Sequence, residues 1–150
     1  MARSISDFAD DTEISSYAMR VDEHTQLPTS NIVISAVDSI NARKEIWRAV
    51  EHNSPASFYI DARMAAEKSD LFIVDLENDD DIINYDILLQ SVNEEDVEEL
   101  PCTAKSTFFC AAAIAGQIGA IVRNILRGEQ KQSERIVYYI PQAVIHKFKI

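Results

Sequence analysis

The amino-acid sequence predicts a single α/β domain with a mixed sheet and helices on its faces. The chain has 150 residues, and 47% of them are apolar, which is enough for one hydrophobic core. Short β-branched runs are interspersed with amphipathic stretches, as expected of β-α-β units. Near the end, two strand-like segments are separated only by a short turn, which favours an antiparallel pair.

The first part of the chain is predicted to contain a β-α-β unit. Residues 1–12 are expected to form a loose lead-in, and residues 13–21 (EISSYAMRV) alternate as a half-buried strand. Residues 32–37 (IVISAV) are apolar on both faces, which is typical of a central strand in a sheet covered on both sides. Ser39 can cap the helix that follows, and residues 57–62 (SFYIDA) form the next strand. The apolar stripe of that helix comprises Ile40, the Arg43 stem, Ile46, Trp47 and Val50.

Three further strands and two helices are predicted in the rest of the chain. In order they are a strand at residues 70–76, a short helix at 82–91, a long helix from about 107 to 127 that Gly128 ends, and strands at 134–140 and 143–150. No internal repeat or low-complexity linker divides the chain, so residues 1–150 are expected to form one domain.

Charge and targeting signals narrow the possible functions. The 25 acidic and 14 basic side chains give a formal net charge of −11, the wrong sign for a protein that binds nucleic acid through its phosphates. The opening MARSISDF lacks the features of a secretory signal, and two cysteines are too few for a disulfide framework. We therefore expect a cytoplasmic protein.

The most apolar window, residues 108–122, is shorter than the ~20 apolar residues that a membrane span needs. We interpret it as a buried helix and expect no membrane association. Small residues at Ala112, Gly116, Gly119 and Ala120 would let another backbone approach closely, in a tight core contact or a dimer contact.

The distribution of glycine excludes two nucleotide-binding motifs. The only glycines are Gly116, Gly119 and Gly128, so neither a dinucleotide fingerprint nor a Walker loop is present. The histidines and cysteines lack the spacing of a zinc site, and no G-x-S-x-G motif is found. The chain therefore carries no sequence signature of a phosphate cradle or of a structural metal.

Asp38 is the first candidate site residue, because it follows directly on the strand at 32–37. In open α/β sheets ligands bind at the carboxyl ends of strands, and a carboxylate there could hold Mg²⁺ and, through it, a nucleotide phosphate. The alternative is that Asp38 and Ser39 only cap the helix. Arg43 or Arg63 could approach the phosphate, with Asp61 beside Asp38, or these residues could form an ordinary Asp–Arg surface pair.

Cys102, in the polar stretch ELPCTAKST, is the second candidate. A following helix N-terminus and the ammonium group of Lys105 would lower the pKa of its thiol and favour the thiolate. The alternative is an inert loop cysteine. Cys110 lies among alanines inside the long helix and is expected in the core.

Taken together, these stretches resemble the ThiF/MoeB family, whose adenylating fold is shared with ubiquitin-activating enzymes. VISAVDSINARKEIW is similar to the family's strand, Asp-Asn and helix, and FYIDARM to its following strand. PCTAKSTFFCAAAIAGQIGAIVRNILRG resembles its cysteine loop and long small-residue helix, and ERIVYYI with VIHKFKI resembles its closing strands. The resemblance spans roughly residues 13–150.

The resemblance implies an incomplete Rossmann-like, ThiF-type domain. By position, Asp38 would coordinate magnesium-ATP, Arg43 would be the family's helix arginine, and Cys102 would take the activated C-terminal glycine of a ubiquitin-like protein. Ser39 stands where the family has asparagine, and the glycine-rich ATP loop and the zinc-binding Cys-x-x-Cys pairs are absent from the sequence.

These departures imply the C-terminal half of an adenylating enzyme that is not autonomously catalytic. It would be a truncated product or one half of a split enzyme. It would act in a homo-oligomer, for which a homodimer is expected, or with a partner subunit. A non-catalytic interaction module with an acidic face is the alternative. A third hypothesis is a small enzyme that combines Asp38, Asp61 and Cys102 without ATP.

Overall fold

A computed structural model describes residues 13–65, 67–93, 108–130 and 132–150. Over these residues the chain forms a mixed α/β fold with a mixed sheet, as the sequence predicts, and the sheet has five strands and is accompanied by three helices. The elements in chain order are β1 (Ile32–Ser35), α1 (Ile40–Asn53), β2 (Phe58–Ala65), β3 (Lys68–Asp75), α2 (Asp79–Gln90), α3 (Phe108–Leu126), β4 (Glu134–Tyr139) and β5 (Val144–Lys149).

The strands lie side by side in chain order, β1-β2-β3-β4-β5. β1 is parallel to β2, and α1 makes the crossover that a parallel pair requires. The pairs β2–β3, β3–β4 and β4–β5 are all antiparallel. Within the described sheet, β1-α1-β2 is therefore the single parallel unit, followed by an antiparallel meander.

The alternation of side chains along the strands divides the core into two layers. Helices α1 and α2 cover one side of the sheet, the α1/α2 face, whose buried cluster comprises Trp47, Val50, Tyr59, Phe72, Val74, Tyr85 and Leu89. Helix α3 covers the opposite side, the α3 face, whose cluster comprises Ile60, Ala62, Leu71, Ile73, Ile114, Ile121 and Ile136. Strands β2 and β3 contribute to both clusters, so they form the centre of the domain.

The helix boundaries follow the capping signals in the sequence. The Ser39 side chain accepts a hydrogen bond from the Ala42 amide at 3.0 Å, which confirms its predicted role as the N-cap of α1. Asn78 caps α2 in the same way, and three aspartates in the first turn of α2 complement its dipole. Gly128 follows α3 with a φ of +67°, a conformation that glycine adopts without steric cost.

The strand predicted at residues 13–21 is wrong. This segment is irregular, with Tyr17 68% and Met19 60% exposed, because no strand of the described sheet lies beside it. Instead, Arg20 attaches the segment to α1 through a 2.8 Å ion pair with Glu45. Alternation of polar and apolar residues alone did not distinguish this arrangement from a strand.

The prediction that residues 32–37 form a central strand is also wrong. β1 lies at one edge of the described sheet and pairs only with β2, and Ile34 is 45% exposed. Its sequence has the apolar character of a strand covered on both faces, whereas Ile34, which lies on the same face as Ile60, is left partly uncovered at this edge of the sheet.

The interpretation of residues 108–122 as a buried helix is correct for one side of α3 only. Cys110, Ile114 and Ile121 are buried, while the opposite side is exposed. By length and composition, α3 is also the one helix among the described residues that could cross a membrane, with 17% of its apolar window buried. Because helices that pack on the sheet of a globular domain pass the same test, this finding alone is weak evidence for a membrane span.

Candidate functional site

The candidate site lies at the carboxyl end of β1, where the chain turns into α1. Asp38 is exposed at this turn, directly before the capping residue Ser39. The carboxyl end of a strand in a parallel β-α-β unit is a common place for a ligand, and an exposed carboxylate there can contact one. The Asp38 carboxylate is therefore accessible to solvent at this turn.

Arg43 lies beneath this turn and is only 3% exposed. Its guanidinium donates one hydrogen bond to the Val37 carbonyl and another, at 3.4 Å, to the Ala62 carbonyl. It also forms an ion pair with Asp61. The guanidinium thus ties the end of β1 to β2, and its charge is directed to groups inside the protein.

Asp61 is fully buried on the α1/α2 face and is the centre of a polar cluster. Besides its ion pair with Arg43, its Oδ2 accepts hydrogen bonds from the Tyr85 hydroxyl at 2.8 Å and from Arg63 Nε at 2.7 Å. The Arg63 guanidinium lies 4.4 Å from the centre of the Phe72 ring, a cation–π distance. Residues of β2, α1 and α2 therefore meet at one carboxylate.

Burial sets the protonation of this cluster. Desolvation raises the pKa of Tyr59 and raises that of Tyr85 well above its ordinary value, so both hydroxyls stay protonated at neutral pH. Desolvation, followed by the charge of Arg63, lowers the pKa of Arg43, whereas the Asp38 carboxylate acts in the opposite direction.

The structure separates the sequence candidates into two groups. Asp38 faces solvent, whereas Arg43 and Asp61 are buried, and the partly exposed Arg63 joins them at the Asp61 carboxylate. The alternative of an Asp–Arg surface pair needs correction, because Arg43 and Asp61 form a pair but a buried one. Cys102 lies outside the described residues.

Metal ligands are sparse in the part of the chain that the structure describes. No group of three or more histidine, cysteine, aspartate or glutamate side chains is arranged to hold a metal ion. A single carboxylate such as Asp38 suits Mg²⁺ only where phosphate oxygens and water complete the coordination shell. The described residues at this turn therefore offer one exposed carboxylate, that of Asp38.

A concave region that the sequence analysis did not identify lies on the uncovered part of the α1/α2 face. It is an open groove of about 350 Å³ lined by Lys68, Arg135, Val137, Tyr139, His146 and Phe148. Asp70 holds the Arg135 guanidinium through hydrogen bonds of 2.9 and 2.7 Å, which raise the pKa of Arg135. In the sequence, this groove was indicated by basic and aromatic residues that recur at every second position of β4 and β5.

Cys110 is buried, with its Sγ 3.7 Å from the Lys68 carbonyl oxygen, and desolvation raises the pKa of its thiol. The predicted core position of this cysteine is confirmed. An alkylating reagent needs an accessible thiolate, and Cys110 offers neither accessibility nor a lowered pKa.

We therefore expect Cys110 to resist alkylation in a native Cys102→Ser variant and to react rapidly once the protein is unfolded. Mass spectrometry of iodoacetamide labelling, with and without concentrated urea, measures both rates. In the Cys110→Ser variant, the labelling rate is that of Cys102 alone. Equal rates for Cys110 in the native and unfolded states would contradict its burial, and a Cys102 rate no higher than that of an ordinary exposed thiol would remove the support for an activated nucleophile.

Comparison with known proteins adds no assignment, since the sequence matches no protein-family model and has no significant match among curated proteins.

Proposed function

We propose that this chain is a ThiF-like domain that contributes one side of a magnesium-nucleotide site and acts only when a second polypeptide completes that site. The observation that carries the proposal is the mismatch at β1. A strand with the apolar sequence of a strand covered on both faces lies at the edge of the described sheet and pairs there with β2 alone. Such an edge can accept a further strand from another chain.

The position of Asp38 supports this proposal. A strand added beside β1 would extend the sheet past the turn at Asp38, so that a loop of the added chain could lie opposite the exposed carboxylate. A glycine-rich loop on that chain would supply the backbone N–H groups that this sequence cannot offer. When bound, a magnesium-nucleotide would supply the adenylyl group that activates a carboxylate, with pyrophosphate as the leaving group.

Under this proposal, Asp38, Arg43 and Cys102 each have a different role. Asp38 contacts the metal, while Arg43 holds the Val37 carbonyl and so fixes the backbone from which Asp38 projects. Arg43 is thus a positioning residue, and its buried charge is balanced by Asp61. Cys102 remains the proposed acceptor of a ubiquitin-like protein's C-terminal glycine.

Calorimetric titration with magnesium-ATP tests the proposal when it is performed with and without the polypeptide encoded beside this one. We expect binding only in the presence of that polypeptide. The Asp38→Asn variant should bind at least about tenfold more weakly, a loss of roughly 1.4 kcal/mol, because one oxygen ligand of the metal loses its charge. Glu51→Gln changes an exposed carboxylate at the far end of α1 and should bind like the parent protein.

Two results would contradict the proposal. One is the absence of magnesium-ATP binding under both conditions, and the other is equal binding by the parent protein and Asp38→Asn.

A non-catalytic interaction module is the second candidate function. The observation that favours it is the exposed acidic start of α2, where Glu77, Asp79 and Asp80 face solvent. Such a patch can attract a basic partner surface. Under this alternative the neighbouring polypeptide would bind without any effect of magnesium-ATP.

A further inference from the structure

We propose that the groove lined by Lys68, Arg135, Tyr139, His146 and Phe148, here called the aromatic groove, binds a small anion that carries a flat aromatic ring. The groove lies at the edge of the sheet formed by β4 and β5, whereas Asp38 follows β1 at the opposite edge. Binding in the aromatic groove is therefore independent of the proposed nucleotide site.

The strand register brings the charged and aromatic side chains of the groove to one side of the sheet. Lys68 of β3 pairs with Tyr139 of β4, and Arg135 of β4 pairs with Phe148 of β5. Each cation therefore has an exposed aromatic ring as its cross-strand neighbour. Val137, which is 5% exposed, lies between Arg135 and Tyr139 on the same side of β4 and forms the floor of the groove.

The three rings of the groove form a continuous aromatic surface. The centre of the His146 ring lies 6.2 Å from that of Tyr139, edge to face, and 6.2 Å from that of Phe148, stacked. Tyr139 is 42% and Phe148 51% exposed, and His146 is exposed as well. A flat aromatic ligand packs favourably on such rings, because apolar faces on both partners are removed from water.

The aromatic groove carries an excess of positive charge. Its lining includes Lys68 and Arg135 and no carboxylate. Among the described residues, the two cations share one acidic partner, the buried Asp70, whose Oδ2 lies 3.6 Å from Lys68 Nζ and 2.7 Å from Arg135 Nη2. One carboxylate balances only one of two cations, so a net positive charge remains here in a protein whose formal net charge is −11.

Both cations keep hydrogen-bond donors for a ligand. Arg135 uses Nε and Nη2 on Asp70, so its Nη1 has no acceptor among the residues that the structure describes. Lys68 Nζ is too far from Asp70 for a hydrogen bond and lies 5.8 Å from the centre of the Tyr139 ring. Because both cations contact the same oxygen of Asp70, they are close enough to donate to one carboxylate or phosphate group of a ligand.

The size of the groove and the overall charge favour a small ligand over a polymer. The volume of about 350 Å³ lies at the lower end of the range for small-molecule sites. A nucleic acid or an acidic polypeptide would bring many negative charges toward a protein of net charge −11, and mutual repulsion opposes its approach. A ligand with one anionic group largely avoids this repulsion and still pairs with the local cations. Aryl phosphates and aromatic carboxylates share this chemistry.

Heteronuclear NMR titration with phenyl phosphate and with benzoate, in the absence of magnesium, tests the site. We expect at least one probe to bind with a dissociation constant of about 1 mM or lower. It should shift the amide signals of β4 and β5 and leave that of Asp38 unchanged. The stronger probe identifies the anionic group that the groove prefers. The ring-free counterparts, inorganic phosphate and acetate, should bind at least about fivefold more weakly.

Two substitutions in the groove and one outside it locate the site. Lys68→Gln should weaken binding about tenfold, because it removes a charged donor, and Phe148→Ala about fivefold, because it removes a packing surface. Lys149→Gln is the matched control, since Lys149 is an exposed lysine on the opposite side of β5, and it should bind like the parent protein. Unchanged melting temperatures of the three variants show that each remains folded.

Three results of these titrations would overturn the proposal. They are the absence of binding by both probes, equal binding by the probes and their ring-free counterparts, and equal effects of Lys68→Gln and Lys149→Gln. A single-stranded oligonucleotide or an acidic peptide that shifts the signals of β4 and β5 when neither probe does so would overturn it as well, in favour of a polymeric partner.

Discussion

Replacing Asp61 with alanine is expected to lower the free energy of unfolding by about 3–5 kcal/mol, because the substitution leaves the buried Arg43 guanidinium without its counter-charge. Two further donors, the Tyr85 hydroxyl and Arg63 Nε, lose the same acceptor. Urea denaturation followed by the fluorescence of Trp47, the only tryptophan in the sequence, measures the loss.

Two controls separate the loss of a counter-charge from the loss of any carboxylate. Asp38→Ala removes an exposed carboxylate nearby and should change stability by no more than about 0.5 kcal/mol. The double variant Arg43→Met/Asp61→Leu removes both charges and should be less destabilised than Asp61→Ala alone. Similar losses for Asp61→Ala and Asp38→Ala would show that the buried pair does not contribute as described.

Trp47→Ala is expected to cost about 3–5 kcal/mol through the cavity it creates. Trp47 is completely buried between two tyrosines, with ring centres 5.3 Å from Tyr59 and 4.7 Å from Tyr85, and its Nε1 donates to Asp86 at 3.0 Å. It joins α1 and α2 to the same region of the sheet. Far-UV circular dichroism during urea denaturation measures the effect, since the fluorescent residue itself is removed.

The Trp47→Phe variant is the matched control, because it keeps an aromatic ring between the tyrosines and removes the hydrogen bond to Asp86. Its loss should be well below that of Trp47→Ala. If both variants lost equal stability, the hydrogen bond rather than the aromatic packing would dominate at this position.

The sequence predicted those parts of the fold that depend on local signals. The β1-α1-β2 unit, the Ser39 cap and the Gly128 stop follow from hydrophobic periodicity and capping preferences, which act over a few residues. The edge position of β1 depends on which other strands are available, and no local pattern contains that information. For the same reason, the alternation at residues 13–21 suggested a strand for which the sheet has no neighbour.

The buried network around Asp61 shows which features of the candidate site could be predicted from the sequence and which could not. Arg43 falls on the apolar stripe of α1, and Asp61 shares its strand face with Tyr59. The sequence analysis offered an Asp–Arg pair only at the surface, because the burial of the pair depends on how α1 lies across the sheet. The exposure of Asp38 followed from its place after β1, whereas the fixed geometry of its turn depends on the long-range contact of Arg43.

The two edges of the described sheet differ in a way that bears on the solubility of the isolated chain. The outer strand β5 carries Lys147 and Lys149, and exposed lysines on an edge strand discourage the addition of strands from unrelated chains. The outer strand β1, with the sequence IVIS, has no charged residue and is limited only by its length of four residues. Unwanted aggregation of this protein, when expressed without a partner, would therefore begin at β1.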